Sequence, residues 1–127
     1  MAKTAIKAGG RFIASDWLIG HDGAPSAEMA AYIEAEGLNF GMASPARYAE
    51  AMRSAGFGEI RIESRNAWYS EVAQQELERL RGAEGAAAAK IVGAGFVEQN
   101  IAIWERMVPV LMSGEHCPTH LRARKPV

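Results

Sequence analysis

Asp16 and His21 stand near the end of a segment with strand character. A carboxylate beside an imidazole is a common pair for moving a proton. Loops at the C-terminal ends of strands are where α/β proteins place their sites. The pair is therefore a candidate site on the loop that follows, against the alternative of a solvated loop. Trp68 and Tyr69 offer two neighbouring aromatic faces that would hold an amine by cation–π attraction. They suit the first buried turn of a helix equally well, and that assignment is preferred. His116, Cys117 and His120 lie close together, but zinc would need a further ligand or a carboxylate at suitable spacing. The segment reads as a turn entering a strand, and no metal is expected. A nucleophilic Cys117 would need a neighbour that depresses its thiol pKa. His116 is a candidate for that role, with nothing in the sequence to place the pair in a cleft. The run "VGAGF" from Val92 to Phe96 has the look of a dinucleotide loop. However, it follows an alanine-rich, helix-prone stretch, and Glu98 stands where the third glycine belongs, so it is expected to be a helix break.

The elements that must position these residues are legible from punctuation and periodicity. Gly9-Gly10 precede a strand over 11–18, with Phe12, Ile13 and Trp17 as its β-formers. Ser26 is a good N-cap, with Glu28 in the first turn and Gly37 as a left-handed stop. Ser44-Pro45 starts a second helix through Tyr48, Ala51, Met52 and Ala55, closed by Gly56. Alternating charge and isoleucine over 59–63 predict a half-buried strand. Tyr69, Val72, Ala73, Leu77 and Leu80 form the stripe of another helix, ending near Gly82. The stretch from Glu84 to Lys90 is alanine-rich and helix-prone, weakened by Gly85. Ile101, Trp104, Val108 and Leu111 recur at helical spacing, with Pro109 expected to kink or shorten that helix. A turn at Ser113-Gly114 leads to the last strand, 119–125. Arg122 and Arg124 share one face of it, so they pair with Glu59, Glu63 or Glu36, or that face is open to water.

The chain has 127 residues, 49% apolar and 23% charged, a globular composition that fits one domain over 1–127. A net charge of −1 gives no electrostatic argument for nucleic acid or an anionic membrane. No apolar run approaches the ~20 residues needed to span a bilayer, and "MAKTAIKAGG" lacks a signal-peptide core. One cysteine excludes an internal disulfide. A cytoplasmic location is expected from these features.

Two pieces carry a resemblance. One is "GGRFIASDWL" followed by "AAYIEAEGLNF" and "RYAEAMRSAGFGEIRIESR"; the other is Trp104 on a helix followed by "SGE" and "RARKP". Together they resemble the C-terminal half of class I S-adenosylmethionine (SAM) methyltransferases, similar to phosphoethanolamine and related small-amine N-methyltransferases. The resemblance covers nearly the whole chain apart from the alanine-rich stretch. It implies an α/β fold with a three-stranded mixed sheet flanked by helices. The strands at 11–18, 59–64 and 119–125 would be the fifth, sixth and seventh of the family's sheet, in the order 5-7-6. The last would run antiparallel between the other two. No strand with a glycine-rich loop precedes Gly9, so the SAM-binding half is expected to be lacking. SAM is the family's cofactor, but this chain alone is expected to bind none.

The resemblance also implies site residues. An aromatic after the strand's Asp faces the amine in the family, and Trp17 follows Asp16 here. The family's Arg and Tyr for the phosphate are replaced by Glu36 and Leu38, and a carboxylate would repel phosphate. Where the family has a Lys three residues after its Trp, Met107 stands here, with Arg106 adjacent. The substrate-side candidates are thus Asp16, Trp17, His21, Trp68, Trp104 and Arg106, with no catalytic residue assigned. A small amine or amino-acid-like substrate without phosphate is expected. The exposed edge of strand 11–18 predicts a homodimer joined there or by helix exchange. The implied function is the substrate-side half of a small-molecule N-methyltransferase, not active alone. The alternative is a self-contained dimeric small-ligand-binding module without catalysis.

Overall fold

The computed structural model describes residues 5–37 and 41–127. Three strands, β1 (Arg11–Ile19), β2 (Gly58–Ser64) and β3 (His116–Arg124), form one sheet in the order β1-β3-β2. The last strand lies in the middle, as expected. Both of its ladders are antiparallel, so the described sheet is antiparallel; a mixed sheet would need a parallel neighbour. The β1–β3 register runs from Arg11 opposite Arg124 to Ile19 opposite His116. The β2–β3 ladder is broken between Gly58 and Arg61. There Glu59 takes the left-handed φ of 48°, a bulge conformation that favours glycine.

The helices are α1 (Ala27–Glu36), α2 (Pro45–Ser54), α3 (Asn66–Arg81), α4 (Ala83–Val92) and α5 (Ala94–Met112). The caps act as their chemistry dictates. Ser26 and Ser44 accept hydrogen bonds from the N–H groups of Met29 and Arg47, each at 3.1 Å. Gly37 closes α1 with φ 72°, and Gly93, with φ 97°, separates α4 from α5. The "VGAGF" run is therefore a break between helices. Pro109 does not shorten α5, which continues to Met112. Only the last turn follows Pro109, so little of the intrahelical ladder depends on its missing N–H.

The core has two clusters. Met52 of α2 packs with Phe57 and Ala123, against Phe12 and Ile60. Under α1, α3 and α5 lie Ile19, Met29, Tyr32, Ala73, Met107, Val110 and Leu111. Ile13, Trp17 and Ile19 share one face of β1, which the helices cover at its Trp17–Ile19 end. Ile13 on that face is 71% exposed. Arg122 lies between Ile13 and Arg61 in register, while Arg124 reaches Glu59 at 3.5 Å. Directly opposed like charges destabilise a ladder, a cost that solvent reduces at this exposed end of the face.

Gly85 is buried where α4 turns back onto α3. A Cβ there would lie 1.7 Å from the Leu80 carbonyl oxygen. Helix propensity alone makes Gly85→Ala stabilising by ~1 kcal/mol. The contact reverses the sign, and a loss of about 1–3 kcal/mol is expected from overpacking. A urea melt of the variant reads the difference directly.

Candidate functional site

Strand β1 delivers Trp17 to the end of the sheet where three helices converge. Its indole stacks on the His116 ring of β3, with centroids 5.0 Å apart and planes 13° apart. Tyr69 of α3 meets Trp17 edge-on at 5.1 Å, and Tyr32 of α1 tilts against His116 at 5.1 Å. With Trp104 of α5 and Glu36 at the end of α1, these rings enclose a cavity of about 110 Å³, completed by Ile33, Met42 and Met107. Helical geometry sets this constellation. Tyr32, Ile33 and Glu36 fall on one face of α1, and Trp104 and Met107 on one face of α5.

The cage has one carboxylate. Burial raises the Tyr69 phenol pKa, with the charges of Glu76 and Glu36 adding to it. Tyr32 is raised further, by burial first and then by Glu36. Both hydroxyls stay neutral near pH 7. His116 is 2% exposed, and neither ring nitrogen has a hydrogen-bond partner. Burial lowers its pKa to about 4; the Leu18 backbone opposes the shift without reaching hydrogen-bond geometry. The wall is thus four large aromatic faces, a neutral imidazole and a carboxylate. Aromatic faces attract cations electrostatically, and a carboxylate at the rim supplies the opposite charge.

The structure brings together two of the six sequence-predicted site residues, Trp17 and Trp104. Asp16 and His21 do not pair. Asp16 points instead to α2, accepting from the Tyr48 hydroxyl and from the Trp17 backbone N–H at 2.8 Å; that bond raises the Tyr48 pKa to about 12. His21 lies past the end of β1 and meets Glu115 at 2.8 Å. The Glu115 carboxylate also takes the Ser26 N–H at 2.9 Å and the Ser26 hydroxyl at 2.5 Å. Burial alone would raise its pKa; the Ser26 and His21 bonds outweigh that and hold it below the usual carboxylate value. Trp68 is not in a buried first turn. It is 55% exposed, with the Arg65 guanidinium 5.3 Å from its ring centroid, because α3 presents Tyr69 to the core instead. Arg106 is exposed, one residue off the face that carries Met107 into the cage. Leu38 lies outside the described residues.

Tyr32, Tyr69, Glu36 and His116 complete the site. The sequence signal for the first three was their helical spacing to other apolar residues. His116 had no such signal. Among the described residues no group of three or more His, Cys, Asp or Glu stands together to hold a metal. Cys117 is buried, its thiol donating to the Gly114 carbonyl at 2.8 Å, and burial raises its pKa. No described helix is long and apolar enough to cross a membrane.

No family model matches the sequence, and no curated protein matches it. Solved structures do match. Phosphoethanolamine N-methyltransferase 2 from Haemonchus contortus, in complex with phosphomonomethylethanolamine and S-adenosylhomocysteine, superposes with a TM-score of 0.83 at 20% identity. The match covers 99% of this chain and 28% of that one. The cyclopropane synthase MmaA2 from Mycobacterium tuberculosis gives 0.77 at 12% identity, over 98% of this chain and 47% of its own. A candidate sarcosine dimethylglycine methyltransferase from Galdieria sulphuraria gives 0.70 at 18%, over 94% and 43%.

The Haemonchus protein is also solved with S-adenosyl-L-methionine (SAM). Such cofactors sit where a glycine-rich turn joins a strand to a helix start. Among the described residues two turns join a strand to a helix. The turn from Gly20 to Ser26 has its helix start filled by Glu115, and the turn from β2 to α3 is the single residue Arg65. The Gly93 turn joins two helices. The described residues therefore do not fit SAM. The chain has the fold of part of a SAM-dependent methyltransferase, spanning 28% of the length of the Haemonchus enzyme.

Proposed function

We propose that this chain is the substrate-side portion of a SAM-dependent small-molecule N-methyltransferase and that its site takes a small amine. The observation that carries the reading is the cage itself. Trp17, Tyr32, Tyr69 and Trp104 surround a space of about 110 Å³ with Glu36 in its wall, the chemistry that recognises an alkylated ammonium. A phosphate would meet Glu36 there and be repelled, so a non-phosphorylated amine fits better than a phosphobase. The chain's own residues bind and orient the amine and shield it from water. A SAM-binding polypeptide would supply the methyl group.

That no glycine-rich strand-to-helix turn with a free helix start stands among the described residues favours a second form of the reading, in which the isolated chain binds the amine without catalysis. Calorimetry on the purified chain tests both. Tetramethylammonium is expected to bind and SAM is not. Saturable SAM binding would overturn the division of labour; absence of tetramethylammonium binding would overturn the cage.

The outer edge of β1 has no ladder among the described residues, and an open edge is a template for another strand. We extend the proposal to a homodimer joined through this edge. Sedimentation at micromolar concentration is expected to give twice the 13.7 kDa chain mass. A monomer would remove the dimer and leave the cage untouched.

A further inference from the structure

Trp104 belongs to two cavities. It forms part of the cage, and it also lines a larger groove of about 440 Å³ between α3, α4 and α5. The apolar part of the groove's wall is Leu80 from α3, Ala88 and Val92 from α4, and Phe96 and Val97 from α5, and the Arg79–Glu84 ion pair lines it as well. Along α3, Tyr69 of the cage and Glu76 and Leu80 of the groove occupy one stripe. Along α5, Met107, Trp104, Asn100 and Val97 do the same. The two spaces thus lie end to end on the seam between α3 and α5. Helix α1 closes one end and α4 the other.

A further observation points to an occupant. Val92 and Phe96 are 52% and 58% exposed, an apolar surface gathered at a concavity rather than scattered. A ligand lying along the seam would cover it.

We infer that the amine taken by this site carries an apolar chain. The ammonium head sits in the cage, and the chain runs past Trp104 into the groove. The inference rests on the amine-binding reading above and adds the tail. The chemical class is a cationic amphiphile, not a free small amine.

The test is a binding series read by calorimetry. Its probes are tetramethylammonium and acylcholines of increasing chain length, kept below their aggregation concentrations. Each added methylene in the groove is expected to tighten binding about two- to fourfold, until the groove is filled. Val92→Asp and Phe96→Asp place a charge on exposed groove positions, where substitutions seldom disturb folding. Both are expected to abolish the chain-length dependence and leave tetramethylammonium affinity unchanged, which also shows that the variants are folded. Tetramethylammonium binding without any gain from the acyl chain would overturn the tail and keep the cage. A gain that survives in both variants would also overturn it, since the chain would then lie elsewhere. No binding of tetramethylammonium would remove the cage reading, and this inference with it.

Discussion

Glu36→Gln is expected to weaken tetramethylammonium binding roughly tenfold to a hundredfold. Two unit charges ~5 Å apart at an effective dielectric of about 20 attract by about 3 kcal/mol. A tenfold to hundredfold loss corresponds to about 1.4–2.7 kcal/mol, the part that remains after desolvation and screening. Gln keeps the shape of the side chain, so the cage stays closed while its charge is lost. The aromatic faces alone would retain residual affinity, because each cation–π contact in a partly desolvated site is worth ~0.5–2 kcal/mol. Glu34→Gln is the control. It lies two residues earlier on α1, is exposed, and does not line the cage. Equal losses in the two variants would mean a general charge effect and would remove Glu36 from the site. An unchanged affinity in Glu36→Gln would mean that the rings alone carry the binding and that Glu36 takes no part in it.

Much of the fold was legible because its punctuation is chemically explicit. Ser26, Gly37, Ser44-Pro45 and Gly93 each stand where a cap or a break is required. The central place of β3 came from the family resemblance rather than from its residues, since no local pattern says which strand lies between two others. Pro109 shows the limit of a local rule: its helix-breaking effect depends on how much helix follows it.

The site was harder to read. Trp17 and Trp104 came from the resemblance. Tyr32 and Glu36 share a helical face with Met29 and Ile33, a spacing that the sequence displays but that looks the same for an ordinary core stripe. Glu36 registered as the loss of a phosphate anchor, whereas its position among rings makes it a cation partner. Asp16 and His21 are near in sequence, yet they diverge because β1 runs on to Ile19 and carries His21 across to Glu115. Pairing by proximity fails when a strand separates two side chains, since alternate residues point to opposite faces.

The stability of the fold is expected to depend on pH through His116. The unfolded chain takes up a proton on this ring near its ordinary value of 6.5, while the folded chain resists until about pH 4. Between those values the unfolded state binds more protons, so stability falls as pH falls. The contribution is intact above pH 6.5 and declines across the window from 6.5 to about 4. Its full size is about 3 kcal/mol, from ~1.4 kcal/mol for each unit of pKa difference. Glu115 acts lower on the scale. Its carboxyl is held below 4.5, so its contribution is lost only as pH drops through that depressed value. Urea midpoints of the native chain measured across this range are expected to slope downward before Glu115 begins to titrate. His116→Phe keeps an aromatic ring between Trp17 and Tyr32 and removes the titration, so its midpoints are expected to stay level down to the Glu115 drop. A native profile as flat as the variant's would mean that the imidazole reaches water or a partner in the folded state. The slope has a counterpart in binding. A charged imidazole beneath Trp17 would add a cation to the wall of a cage built for one. The same burial that weakens the fold in acid keeps His116 neutral at the pH where an ammonium must enter.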